Sequence, residues 1–118
     1  MKQRRFAILK YGSSFATRER ARLVIDDLAG LLHPSHDRVV IDFRGVSIVS
    51  YSFADEFLKQ LGRLLKVSDS EAILLGCGDG VVAAFARTLE KRDRLNQHHL
   101  TASSSGDGLR ILHAVALA

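Results

Sequence analysis

Cysteine, proline and tryptophan are almost absent from this chain: its 118 residues hold one Cys, one Pro and no Trp. A lone Cys77 can form neither an internal disulfide nor a paired-cysteine metal site, and a reducing, cytoplasmic setting is expected. The five histidines (His33, His36, His98, His99 and His113) have no zinc-ligand spacing, so no metal and no cofactor is expected. No apolar run approaches the ~20 residues of a membrane-spanning helix, and no membrane partner is expected. The basic start, residues 1–10, holds an apolar run of only four residues with no small-residue cleavage site behind it, and it reads as a strand and not as a secretory leader. Aromatic residues are few, at 7%, and they rarely interleave with the basic ones. Stacking on nucleic-acid bases is therefore poorly supported, and the net charge of +4 reads as a solvated basic surface. There is no Gly-x-Ser-x-Gly elbow for a serine hydrolase, and an enzyme is not expected.

What remains is a chain of 47% apolar and 25% charged residues, the mix of one globular domain spanning residues 1–118. Residues 6–9 read as a strand and residues 11–14 as the turn out of it. Thr17 is a good N-cap for a helix running to Leu32, in which Ala21, Val24, Ile25, Leu28 and Leu32 form one apolar stripe. Pro34 stops it. The β-branched run 39–43 suits a strand covered on both faces. Asp42 in that strand is expected to pair with a backbone N–H or with Arg44 or Arg38. Gly45 breaks the run, and residues 46–49 continue as an extended or turning segment.

Ser52, with Asp55 three residues on, has the spacing of a helix cap. The helix carries Ala54, Phe57, Leu58, Leu61, Leu64 and Leu65 on one face, and Asp55 and Lys59 have the order and spacing of an ion pair. Residues 72–75 form a third strand. Val82, Phe85, Ala86 and Leu89 mark the inward face of a third helix. Residues 98–102 read as an edge strand, and a short last helix follows Gly108 with Leu109, Leu112, Val115 and Ala116 inward. Strands and helices alternate, which implies an α/β layer: a four- to five-stranded, mostly parallel or mixed sheet with about four helices.

Two segments carry chemistry. The first is the loop Gly76, Cys77, Gly78, Asp79 and Gly80 between strand and helix. Glycines there let a backbone approach a ligand, and a helix N-terminus faces anions. A small ligand- or nucleotide-binding domain using this loop is the alternative reading. A methyltransferase is disfavoured, because Leu74 stands where such motifs carry an acid and too little chain follows. The plainer reading is a turn needing positive φ at glycine, with Cys77 small and buried rather than a reactive thiol.

The second segment is VVIDFRGVSIVSYSFADEFL, residues 39–58. It resembles the central motif of STAS domains, the sulfate-transporter and anti-sigma-factor-antagonist type. The family's Asp-Ser-Ser-Gly motif falls on Ser50, Tyr51, Ser52 and Phe53, so its aspartate is Ser50 here and its glycine is Phe53. The match is closer to a STAS-like family of uncharacterised domains. Those are similar at Asp42-Phe43-x-Gly45-Val46, at Ser52-Phe53-Ala54-Asp55-Glu56, and at a Thr-Arg pair, here Thr17-Arg18. The resemblance implies a cytoplasmic, non-enzymatic regulatory module of bacterial signalling and transcription control. Its implied partner is an ATP-binding kinase related to anti-sigma factors, or a related regulatory protein. Its implied phospho-acceptor is Ser52, and its docking surface is Ser47, Ser50, Tyr51, Ser52, Asp55, Glu56 and Lys59. A phosphate on Ser52 would add about −1.5 to −2 charges at the positive end of a helix. Asp55, at the third helical position after the Ser52 cap, would compete for the same amides and repel that phosphate.

Overall fold

Val39, Val40 and Ile41 are all buried and form the middle of strand β3 (Asp37–Asp42), which lies between β1 (Lys2–Ala7) and β5 (Glu71–Leu75). In this computed structural model the backbone is described for residues 2–32, 37–94, 100–105 and 108–113, and side chains for 3–32 and 38–91. β1, β3 and β5 run parallel, with Phe6 opposite Ile41 and Ile41 opposite Leu74. β7 (Gly108–His113) then pairs antiparallel with β5, and β6 (Leu100–Ser105) pairs antiparallel with β7 at the sheet edge. The main sheet is thus five-stranded and mixed, in the order β1-β3-β5-β7-β6.

Three α-helices are present among the described residues: α1 (Arg18–Ala29), α2 (Tyr51–Ser68) and α3 (Asp79–Arg94). One apolar cluster joins their inward residues to Phe6, Val39, Ile41, Ala72 and Leu74 of the sheet. Side chains alternate across a strand, so Val40 takes the other face. There Ile73 and Leu75 of β5 are only half-buried, and that face is covered less fully than the continuous apolar run implies. A second sheet of two short parallel strands, β2 (Ser14–Phe15) and β4 (Ile48–Val49), leads into α1 and α2. It buries Phe15 against Phe53 at 5.0 Å between ring centroids, and Phe53 stacks on Phe57. Phe57 and Phe43 both meet Phe85 of α3. This ladder of rings fixes the first turns of α2 against the rest of the core.

Several expectations are corrected. The segment after Gly108 is strand β7 and not a helix, so three α-helices stand where about four were expected. It pairs antiparallel with both β5 and β6, and Val115 and Ala116 lie outside the described residues. The edge strand spans Leu100–Ser105; His98 and His99 lie outside the described residues, as do His33, Pro34 and His36. α1 ends at Ala29, although Leu32 is still buried. β1 begins at Lys2 and takes in the basic residues, as suits an edge strand. In α3 the buried stripe is Val81, Ala84, Phe85, Thr88 and Leu89, whereas Val82 is half-buried and Ala86 exposed.

Candidate functional site

Helix α2 begins two residues earlier than its capping pattern indicates. Pairing of β4 with β2 holds the chain extended up to Ser50, which sits at φ −74° and ψ 162°. Its hydroxyl accepts the Phe53 amide at 3.0 Å and donates to the Ala16 carbonyl at 2.8 Å. Ser50 is therefore the N-cap. Ser52 lies within the first turn, exposed, and its hydroxyl makes no hydrogen bond among the described residues. Asp55 consequently lies a full turn into the helix and does not compete for the terminal amides, contrary to the reading that made Ser52 the cap.

Asp55 instead turns to α1. Arg18 Nη1 donates to its Oδ2 at 2.7 Å and lies 3.6 Å from Glu56 Oε1, while Arg22 Nε lies 3.4 Å from Glu56 Oε2. The Asp55 contact, above all, raises the Arg18 guanidinium above its ordinary pKa. Glu56 is only 5% exposed. Its carboxyl lies below its ordinary pKa, first through the amide of Gln60 at 2.7 Å and then through Lys59, Arg22 and Arg18, while burial opposes the shift. Glu56 therefore braces α2 against α1 and is not part of the exposed surface on which the motif placed it.

Tyr51 is 55% exposed and lies beneath α3: its hydroxyl accepts from Arg87 Nη1 at 3.2 Å, and the guanidinium carbon stands 4.9 Å from the ring centroid. Arg18, Tyr51, Ser52, Asp55, Arg87, Thr88 and Lys91 together line a cavity of about 320 Å³. Three cations from two helices thus share one cleft with a single carboxylate and the Ser52 hydroxyl. Nearby, Ile48 is 61% exposed. Ser47 is exposed and donates through its amide and hydroxyl to the Ser13 carbonyl. Lys59 is exposed on α2.

The glycine loop lies at the ends of β3 and β5. Asp42 accepts from Arg44 through its amide at 2.9 Å and its Nη2 at 2.7 Å, and from Arg5 Nη2 at 2.7 Å. The Arg44 side chain is the main cause that holds this carboxyl far below its ordinary range, against the opposing effect of burial. Arg38, the other partner considered for Asp42, pairs with Glu71. Gly76 adopts φ +70°, and a Cβ there would stand 2.3 Å from Arg44 Cγ. Its glycine is needed for the turn and for the close approach of Arg44. Cys77 is half-buried, and its thiol is pushed up to about 11, first by burial and then by the charge of Asp42. It is not a thiolate at neutral pH. Asp79 places an acid in the first turn of α3, which disfavours an anion at that terminus. Within this loop, packing against Arg44 accounts for the glycine at position 76, whereas a Cβ at Gly78 or Gly80 would meet nothing within 4 Å.

The structure thus brings together Tyr51, Ser52 and Asp55, leaves Ser47 and Ser50 as ties to the β2 segment, and turns Glu56 inward. Sequence reasoning missed Arg87, Thr88 and Lys91. Arg87 and Lys91 are a basic pair at i, i+4, which places them on one helix face, but nothing local says that this face meets α2. No helix among the described residues is long and apolar enough to cross a membrane. No protein-family model, no curated protein and no solved structure matches the chain.

Proposed function

We propose that this chain is a STAS-like protein-interaction module that docks an ATP-binding regulatory partner on the β4–α2 face, and that Ser52 is the phospho-acceptor on that face. The observation that carries the reading is the release of Ser52 from capping. Ser50 caps the helix through the Phe53 amide, so the exposed Ser52 hydroxyl, which lines a cleft with Tyr51, has no hydrogen-bond partner among the described residues. A hydroxyl already committed to a helix terminus would have to be withdrawn before a kinase could use it; this one would not. The segments that carry the family resemblance also meet in space, since Arg18 of the Thr17-Arg18 pair binds Asp55 and Glu56 of the α2 motif.

In this reading the chain's own chemistry is passive. The partner supplies ATP, the Ser52 oxygen forms a bond to the γ-phosphorus, the bond to the ADP oxygen breaks, and the hydroxyl proton passes to a base of the partner. Ile48 and Tyr51 provide the apolar anchors of the docked face, where a few large side chains commonly carry most of the affinity. The test is to mix the full chain with candidate ATP-binding regulators of the anti-sigma-factor kinase class and ATP, then follow co-elution and intact mass. A complex that is lost with Ile48→Asp or Tyr51→Ala, and one added phosphate that is absent in Ser52→Ala, are the expected results. No complex with any such regulator, together with no phosphate on Ser52, overturns the reading.

A further inference from the structure

We propose that the cleft between α1, α2 and α3 is an intramolecular receptor for a phosphate carried on Ser52, with Arg87, Lys91 and Arg18 as its ligands. This rests on the reading of Ser52 as phospho-acceptor and adds what happens to the docking face once the phosphate is in place.

Ser52 lines the same cavity of about 320 Å³ as Arg18, Arg87 and Lys91. The volume is ample for a phosphoryl group, and its wall holds three cations and one carboxylate. The net excess of cations roughly balances a phosphomonoester of about −1.5 to −2 charges. Two further hydroxyls, of Tyr51 and Thr88, line the cavity. The Thr88 hydroxyl already donates its one proton to the Ala84 carbonyl at 2.8 Å, so it offers the phosphate no hydrogen bond, whereas the Tyr51 hydroxyl accepts from Arg87 and keeps its own proton to donate. The first-turn amides of α2 add their positive potential.

Magnitudes favour a tethered phosphate over a free one. The cations are solvent-exposed, and single exposed ion pairs contribute only about 0–1 kcal/mol each. A diffusing phosphomonoester would therefore bind weakly. A phosphate attached to Ser52 is held at an effective concentration of about millimolar or above and needs no more than this.

Capture has a structural consequence. Arg87 at present hydrogen-bonds and covers Tyr51, and Arg18 at present binds Asp55. Turning Arg87 to the phosphate uncovers the Tyr51 ring, and turning Arg18 breaks its contact with Asp55. Phosphorylation thus rearranges the anchor residues of the docking face as well as adding charge to it. The phosphate itself comes from ATP in the transfer described above, with ADP as the other product.

The experiment installs phosphoserine at position 52 of the full chain during translation, so that no kinase or partner is needed, and titrates it by ³¹P NMR. The groups facing the phosphate are Arg18, Asp55, Arg87 and Lys91, with Glu56 behind Arg18. The second phosphate ionisation is expected about one unit below that of the same phosphoserine in a peptide of residues 48–59, since nearby cations favour the dianion. Arg87→Gln and Lys91→Gln, both at exposed positions, should each recover part of the difference, and the double variant most of it. The ³¹P signal of free O-phosphoserine kept well below the roughly millimolar effective concentration that the tether supplies should be unchanged by the unmodified chain. An ionisation equal to that of the peptide, or one unmoved by the double variant, overturns the receptor while leaving partner docking intact. Failure of the unphosphorylated chain to dock any such partner, together with a shifted ionisation, counts against the docking reading alone. Saturable binding of free O-phosphoserine with no shift in the tethered group assigns the cleft to a diffusing ligand and overturns the proposal.

Discussion

The Ser50 hydroxyl donates to the carbonyl of Ala16 at 2.8 Å, joining the entry to α2 to the segment that enters α1. The same oxygen caps α2 through the Phe53 amide. One side chain therefore fixes the relative position of two helix starts, and it frees Ser52 to face the cleft.

The two serines should separate cleanly in a stability measurement. Ser50→Ala removes a cap of about 1 kcal/mol and a second hydrogen bond of about 1 kcal/mol. The expected loss is about 1.5–2 kcal/mol. Ser52→Ala removes a hydroxyl with no partner among the described residues and should change stability by less than about 0.5 kcal/mol. Ser50→Asp keeps the capping oxygen but cannot donate to Ala16, so it should fall between them. Urea midpoints for the three variants measure this, and an equal loss at both serines would show that Ser52 caps the helix after all.

Much of the architecture can be read locally, and the exceptions share one cause. Thr17 caps α1 through the Arg20 amide, and the stripe Ala21, Val24, Ile25 and Leu28 is buried, because both features depend only on neighbours in sequence. The start of α2 does not. Ser52 with Asp55 satisfies the local capping rule better than Ser50 with Phe53. The β2–β4 pairing and the bond of Ser50 to Ala16, contacts between residues 34 apart, decide the matter instead. The last strand escaped for a related reason. Leu109, Ile111 and Leu112 fit either a helical or an extended period over so few residues. The pair Gly106-Asp107, which separates Ser105 from Gly108, was the available hairpin signal. For the cleft, Arg18 is marked in the sequence by its neighbour Thr17, while Arg87 and Lys91 depend on how α3 packs against α2, which no local pattern encodes.

Glycine should be required at position 76 and dispensable at 78. Gly76→Ala meets a left-handed backbone, which costs about 1–2 kcal/mol for an L-residue. Its Cβ would also stand 2.3 Å from Arg44 Cγ, forcing Arg44 to give up part of its hold on Asp42. A loss of about 2–3 kcal/mol is expected. Adding Arg44→Ala to it removes the clash but not the backbone cost, so the double variant should lose less than the sum of the singles. A Cβ at Gly78 would meet nothing within 4 Å, and Gly78→Ala should fall within about 0.5 kcal/mol of the parent. Denaturant curves for the four variants and the parent give the comparison. A tolerated alanine at 76 would mean that the loop is free to rearrange and that Arg44 does not require a glycine there.

Acid should destabilise the fold chiefly through Asp42. Its carboxyl, 7% exposed, is held well below its ordinary range first by the Arg44 side chain and then by the Arg44 amide and Arg5. A group whose folded pKa is depressed binds fewer protons folded than unfolded. Its contribution is therefore complete above the unfolded value of about 3.9 and is lost as pH falls below it toward the folded value. Glu56, depressed in the same direction chiefly by Gln60, adds to the loss. Asp42→Asn should cost about 2–3 kcal/mol at neutral pH, the scale of hydrogen bonds to charged groups, and should flatten the decline in urea midpoint between about pH 5 and pH 2. The same variant removes a charge that raises the Cys77 thiol, but not the burial that raises it more. Alkylation of Cys77 should accordingly quicken only modestly. An Asp42→Asn protein that keeps the parent's full acid slope would locate the titrating group elsewhere and would leave the Arg5–Asp42–Arg44 cluster without a part in stability.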